Sequence, residues 1–236
     1  MVLHDRPTVG LTVDLNADLG EGVTDDAGLL EVVTSANVAC GYHAGSPAIM
    51  REVCGRAAER GVSVGAQVSY ADRVGFGRVP LDVSRSVLRE QVADQVGTLT
   101  VIAGEEGASV RYVKAHGALY HRTLDDEEQA LAVLEGSRDL PVLGMPGRLL
   151  TLAVAQGRTV HHEGFPDRGY ADDGRLLPRS APGAVLTSGP DIAFRAVELA
   201  ENVASVCVHG DHPGAVEHAR LVRTALVRAG FELRGL

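Results

Sequence analysis

Short apolar runs alternate along this chain with longer amphipathic stretches, and almost every apolar run ends in a polar or glycine-rich cluster. The runs near 10–15, 36–40, 62–67, 110–114, 141–143, 159–163 and 204–208 read as buried strands. Between them, apolar residues recur at helical spacing. Val87, Leu88, Val92, Val96, Leu99 and Ile102 form one stripe over about 83–103, and Ile49, Val53 and Ala57 form another. Helices are expected over 25–35, 47–60, 83–103, 125–136, up to about 155, over 190–202 and over 214–228, with a small extra strand at 231–233. Ser46-Pro47 opens the second helix with a capping hydroxyl and a first-turn proline, and Gly61 closes it.

Seven β-then-α units in regular alternation predict a parallel sheet covered by helices, which fits either a barrel or an open doubly wound sheet. The position of the polar clusters decides between them. An open sheet gathers functional residues only at its switch point, whereas a barrel brings every strand end to one mouth. Here six of the seven strands deliver such a cluster, so the expected fold is a seven-stranded parallel (β/α) barrel, TIM-like, over residues 10–236. Residues 1–9 lack an apolar signal core and read as a loose tail.

The densest cluster is Asp14-Leu15-Asn16-Ala17-Asp18-Leu19-Gly20-Glu21-Gly22. Asp14, Asn16 and Asp18 are spaced by two and so share one face of an extended chain. Neighbouring carboxylates raise one another's pKa, a cost that a purely structural strand end avoids. A solvated turn with Asp25 or Asp26 capping the next helix accounts for one or two acids, not for all of these groups. The mouth would also collect His43, Gln67, Lys114, His116, Glu163, His209 and Asp211. A single strand-end histidine is ordinarily a hydrogen-bonded structural residue, but three, each near a glycine, suggest a site. Lys114 ends an apolar strand and needs a carboxylate partner, Glu163 or Asp14, or an anionic ligand. Asp72-Arg73 and Asp167-Arg168 read either as loop ion pairs or as arginines offered to an anionic substrate.

Composition narrows the function classes. Aromatic residues make up 4% of the 236 residues and tryptophan is absent, so Val, Leu and Ala must fill the core. A net charge of −9 argues against nucleic acid, and no run is long enough to span a membrane. Cys40, Cys54 and Cys207 show no metal-type spacing and suit free thiols in the cytoplasm. The chemistry stays open between metal-activated water and metal-free acid/base hydrolysis. No HExxH spacing and no phosphate-binding glycine loop is present.

Several motifs, in this order, resemble the LamB/YcsF family: the Asp14–Gly22 cluster, Ala36-Asn37-Val38-Ala39-Cys40-Gly41-Tyr42-His43-Ala44-Gly45, Gly75-Phe76-Gly77-Arg78, Val113-Lys114-Ala115-His116-Gly117-Ala118-Leu119-Tyr120, Asp167-Arg168-Gly169-Tyr170 and Val208-His209-Gly210-Asp211. The resemblance implies a barrel of the glycoside hydrolase/deacetylase type. It implies ATP-dependent hydrolysis of 5-oxoproline to glutamate, by an A subunit working with B and C subunits, with ATP as co-substrate and Mg as its companion ion. A homo-oligomer and a metal at the mouth are both compatible with it.

The site expected on this basis has Asp14, Asp18, His43, Lys114 and His116 in catalysis. Asn16, Glu21, Asn37, Gln67, Arg73, Arg78, Glu163, Arg168, Arg179, His209 and Asp211 are expected in binding. The chain departs from the family pattern at Gln67, where histidine is common, and at Ala115, where proline is. The stretch from Val185 to Val206 is shorter than usual, on a flank that would suit a partner. Glutamine is neither acid nor base, so position 67 can only bind. The competing readings are a stand-alone metal-dependent amidase or deacetylase acting on a carbohydrate-like substrate, and a binding or regulatory subunit with an idle pocket.

Overall fold

A computed structural model describes residues 10–23, 25–211 and 214–236. The tail expected over 1–9 lies outside the described residues. The elements follow in the order β1 (Thr12–Leu19), α1 (Asp26–Leu30), β2 (Ser35–Ala39), α2 (Pro47–Arg60), β3 (Ser63–Val68), α3 (Arg85–Glu105), β4 (Val110–Ala115) and α4 (Gly117–Arg122). They continue with α5 (Glu127–Gly136), β5 (Val142–Gly144), α6 (Arg148–Ala155), β6 (Val160–Gly164), α7 (Gly189–Ala200), β7 (Ser205–Cys207), α8 (Ala215–Arg228) and β8 (Glu232–Leu233).

Strands β1 to β7 pair in parallel in sequence order, and β1 pairs with both β2 and β7, so the seven-stranded sheet closes on itself. The eighth strand is the small one expected near 231–233. It pairs with the start of β1, Thr12 opposite Glu232, outside the ring. Because all seven barrel strands run the same way, every strand end faces one mouth.

Two local expectations change. The first strand does not stop at residue 15 but continues to Leu19. Leu15, Ala17 and Leu19 belong to the apolar core, while Asn16 and Asp18 meet polar groups of other strands. The polar residues are therefore interior residues of a strand, not its end. The first helix is shorter than 25–35. Asp25 caps it by accepting a hydrogen bond from the Gly28 backbone at 2.9 Å, and it ends at Leu30. In α2 the expected devices are present: Ser46 accepts from Ile49 N, and Gly61 caps the end at φ 66°.

With few aromatics, one tyrosine fills the barrel interior. Gly65 lies opposite Tyr112 across β3 and β4, and a Cβ on Gly65 would clash with the tyrosine ring. The Tyr112 hydroxyl donates to Asn37 Oδ1 at 2.6 Å. Gly65→Ala is therefore expected to destabilise the fold by about 2–3 kcal/mol through overpacking, read as a fall in melting temperature.

Candidate active site

A cavity of about 790 Å³ opens at the mouth. Its inner wall is Asp18, Glu21, Lys114 and His116, and its outer part includes Arg78, Phe165, Arg179, His209 and Asp211.

Lys114 sits at the centre of the inner wall and is almost fully buried. Its Nζ lies 2.8 Å from Glu163 Oε2, 3.5 Å from Asp18 Oδ1 and 3.4 Å from Asn16 Oδ1. Burial alone would push its pKa down. Asp18 and Glu163 outweigh that and raise it well above the usual lysine range. Burial would raise Asp18, but the Lys114 charge overrides it and holds its carboxyl well below the usual range. The two shifts agree, and the pair is ionised. Glu163 is the lysine partner anticipated from the sequence; Asp14 is not.

Asp14 stands below the cavity, not in it. It accepts hydrogen bonds from Thr34 Oγ1 at 2.7 Å and from the Ser205 hydroxyl. Ser205 accepts from Asn16 Nδ2 at 2.6 Å, Asn16 Oδ1 accepts from Asn37 Nδ2, and Asn37 Nδ2 also reaches Asp18 Oδ1 at 2.9 Å. A continuous polar chain thus runs from Asp14 up to Asp18 and fixes the carboxylate that lines the cavity. Asp14, expected in catalysis, and Asn16 and Asn37, expected in binding, do not line the cavity; they form the hydrogen-bonded chain behind Asp18.

Burial pushes the Asp14 pKa up from 3.8 to about 6. A raised folded-state pKa means stability fully present below about 4 and lost as pH rises through about 6. Relative to Asp14→Asn, the wild type is expected to lose up to roughly 3 kcal/mol over that window, about two pKa units at 1.36 kcal/mol each. Paired thermal melts from pH 4 to 7 check it, and a difference that does not change with pH contradicts it.

His116 is held from outside. Its Nε2 lies 3.1 Å from the Phe76 carbonyl, which assigns the proton to Nε2 and leaves the Nδ1 lone pair facing inward. Phe76 adopts φ 55°, uncommon for a non-glycine, and the following Gly77 has φ 68°. That strained turn places the carbonyl over the histidine. On the inner side, Nδ1 meets Gln67 Nε2 at 2.8 Å, Glu21 Oε1 at 3.6 Å and Asp18 Oδ2 at 3.8 Å. His43 stacks on His116 at 4.1 Å between ring centroids. Burial lowers the His43 pKa. Glu21, His43 and His116 are the one grouping among the described residues whose three ligand-type atoms lie close enough for a single ion. His43 and Gln67 lie behind the cavity wall, not on it.

Across the cavity stands a second histidine system. His209 Nδ1 lies 3.0 Å from both Asp167 oxygens, and Asp167 also accepts the His209 backbone N–H at 2.8 Å. Burial raises the Asp167 pKa, but His209 overrides it and leaves it lowered. The Asp167-Arg168 pair suggested by the sequence is absent, since Asp167 turns to His209. Reading Asp167 together with His209 needed the tertiary fold; no local signal joins residues that follow β6 and β7.

The arginines divide. Arg73, expected in binding, donates to the carbonyls of Gly41 and Gly45 and does not line the cavity. Arg168 reaches the cavity wall, but its guanidinium is spent on the Ala184 and Leu177 carbonyls of its own long loop. Arg78 and Arg179 converge from two loops on Asp211, at 2.5 and 3.3 Å. Burial raises the Asp211 pKa, and these guanidiniums outweigh it and hold it low. Cys207 lies 3.3 Å from Lys114 Nζ, yet burial keeps its thiol far above the range of a reactive thiolate.

The LamB/YcsF family model matches residues 13–236. The A subunit of the 5-oxoprolinase of Streptomyces coelicolor is 52% identical over 92% of this chain and 97% of that protein. That of Mycobacterium avium is 49% identical over 94% and 98%. Among solved structures, the lactam utilization protein of Thermus thermophilus superposes with a TM-score of 0.90 at 35% identity, covering 96% of this chain and all of that one. The catalytic domain of a peptidoglycan N-acetylglucosamine deacetylase from Eubacterium rectale shares the fold at 12% identity, with a TM-score of 0.52 over 99% of this chain and 90% of that one. Among the described residues, no helix is long and apolar enough to cross a membrane.

Proposed function

The chain belongs to the LamB/YcsF family, and on that premise we propose that it opens the lactam ring of 5-oxoproline to glutamate, as the A subunit of an ATP-dependent 5-oxoprolinase with B and C partner subunits. The observation that carries this reading is the ionised Asp18–Lys114 pair with Glu163 beside it, set between His116 and the Asp167–His209 pair in a cavity of small-molecule size.

A five-membered lactam is a stable amide, and coupling to ATP supplies the driving force. Transfer of the γ-phosphoryl group to the lactam oxygen, with the Mg ion of ATP, gives a C5–O–phosphate with a C5=N1 bond. Water adds to C5 and N1 takes a proton. The C5–N1 bond then breaks, nitrogen leaves as the amine, and the product is γ-glutamyl phosphate. A second water releases phosphate and gives glutamate, so one ATP and two waters are consumed.

In this reaction Asp18 takes the proton from water, a role suited to an ionised carboxylate that lines the cavity. Lys114 stabilises negative charge on the oxygen at C5. His209, its Nδ1 fixed by Asp167, delivers a proton to the departing nitrogen. Arg78 and Arg179 offer the rim of positive charge for the carboxylate or phosphoryl group. Asp167→Asn is expected to lower kcat about 100-fold with little change in KM, because it frees the His209 ring to take the wrong tautomer.

The reading is tested by combining the chain with its B and C partners, 5-oxoproline and ATP, and following glutamate and ADP together. Glutamate is expected only from the full mixture, with equimolar ADP. No glutamate from any combination of folded subunits overturns it.

A further inference from the structure

We propose that Glu21, His43 and His116 form a binding site for one divalent first-row transition-metal ion on the inner wall of the cavity, with Gln67 as an amide that turns when the ion binds. The ion's use, to orient the attacking water beside Asp18, rests on the lactam-opening reading; its binding does not.

The three donors are already gathered, and two of their separations are close to those around a bound ion. One donor atom from each of the three side chains lies within 4.8 Å of the others. Glu21 Oε1 is 3.7 Å from His43 Nε2 and 3.6 Å from His116 Nδ1. An ion about 2.0–2.2 Å from each donor in tetrahedral geometry sets donors about 3.4 Å apart, so the two separations from Glu21 need a contraction of a few tenths of an ångström, and the stacked imidazoles must turn so that both inner nitrogens face the ion. The outer partner is in place as well. The Phe76 carbonyl holds the far nitrogen of His116, the arrangement that fixes the tautomer of metal-bound imidazoles.

Two buried polar groups point to a missing partner. His43 is 1% exposed, and neither ring nitrogen has a hydrogen-bond partner. At 3.7 Å, Glu21 is too distant to be one. A buried imidazole with both nitrogens unmet is costly, and a cation at Nε2 removes half of that cost. The second is Gln67 Oε1, also buried without a partner. The other end of the same amide, Nε2, lies 3.0 Å from Glu21 Oε1 and 2.8 Å from His116 Nδ1. Its two hydrogens thus occupy the lone pairs that a cation would take. A half-turn of the amide puts Oε1 in the place of Nε2, which repels Glu21 when no cation is present and supplies a fourth ligand when one is.

Two imidazoles, a carboxylate and an amide oxygen suit Zn(II), Co(II), Mn(II) or Fe(II) better than Mg(II), which prefers oxygen ligands throughout. Glu21 and His116 also line the cavity, so a water taken as a fifth ligand would face the substrate.

The chelator-treated full chain is titrated with Zn(II) and separately with Co(II), by calorimetry and by the visible absorption of cobalt. One ion per chain is expected, with a cobalt band typical of low coordination number. Glu21→Gln and His43→Ala are expected to weaken binding at least about 100-fold. Gln67→Glu, which adds a charged oxygen ligand, is expected to tighten it about tenfold. His162→Ala, an exposed residue outside the site, is expected to leave it unchanged. A folded wild type that takes up neither ion overturns the proposal, as does undiminished binding by folded Glu21→Gln and His43→Ala. Should those two variants fail to fold, a Gln67→Glu chain that binds no tighter than wild type overturns it. Because the readout is ion uptake by the chain alone, its failure leaves the lactam reading standing. A metal-loaded complex that makes no glutamate would leave the site standing.

Discussion

Lys114→Met is expected to cut glutamate formation by the assembled complex about 1,000-fold per folded chain and to lower the melting temperature of the chain by about 10 °C. Methionine keeps the stem of the side chain and deletes its charge. The first effect follows from position: Lys114 is the buried cation on the cavity wall, and removal of one preorganised group facing a developing oxyanion costs about 100- to 1,000-fold or more. The second follows from what is left behind. Glu163 and Asp18 lose a shared partner 2.8 and 3.5 Å away while remaining buried. Breaking such a pair from one side costs about 3–5 kcal/mol, and a chain of this size loses about 2–4 °C per kcal/mol. Turnover normalised to folded protein, together with a thermal melt, separates the two effects. A variant with wild-type turnover would remove Lys114 from the chemistry.

Asp18→Asn is expected to lower turnover about 1,000-fold with a much smaller effect on stability. The side chains are nearly isosteric, and Lys114 retains Glu163 as its counter-ion. The Asn37 amide, which donates to Asp18 Oδ1 at 2.9 Å, keeps an oxygen acceptor. Besides one of the two counter-charges of Lys114, what disappears is acceptance of a proton, for which a positioned base accounts for roughly 100- to 10,000-fold. Turnover that falls while the melt and substrate affinity stay near wild type is the signature of that loss. A matching rise in KM with unchanged kcat would make Asp18 a binding group instead.

The barrel was legible because its signal is repeated. Six of the seven apolar runs carry polar residues at the same end, a pattern an open sheet does not need, and the closed ring of β1 to β7 is that pattern in three dimensions. The length of β1 was not legible, because alternation of acid and apolar residues past Asp14 resembles a strand giving way to a turn. Inside a narrow barrel those positions are interior, and a hydrogen-bonded chain through Ser205, Asn16 and Asn37 makes their burial tolerable. Lys114 with Glu163 could be anticipated, since a lysine ending an apolar strand demands a carboxylate. The Asp167–His209 pair and the Phe76 carbonyl on His116 could not, since each joins segments far apart in sequence. The arginines show the limit most clearly. Arg73, Arg78, Arg168 and Arg179 look alike in sequence, yet only Arg78 and Arg179 meet at the rim around Asp211.

The central claim is that this chain performs the lactam-opening chemistry and is not merely an accessory to it. The most direct test compares reconstituted complexes holding wild-type or Asp18→Asn chain, with glutamate and ADP measured in the same samples. The Asp18→Asn chain is expected to assemble and fold normally but to yield about a thousandth of the glutamate. Glutamate at the wild-type rate from the Asp18→Asn complex would contradict it and make the chain a binding or regulatory subunit.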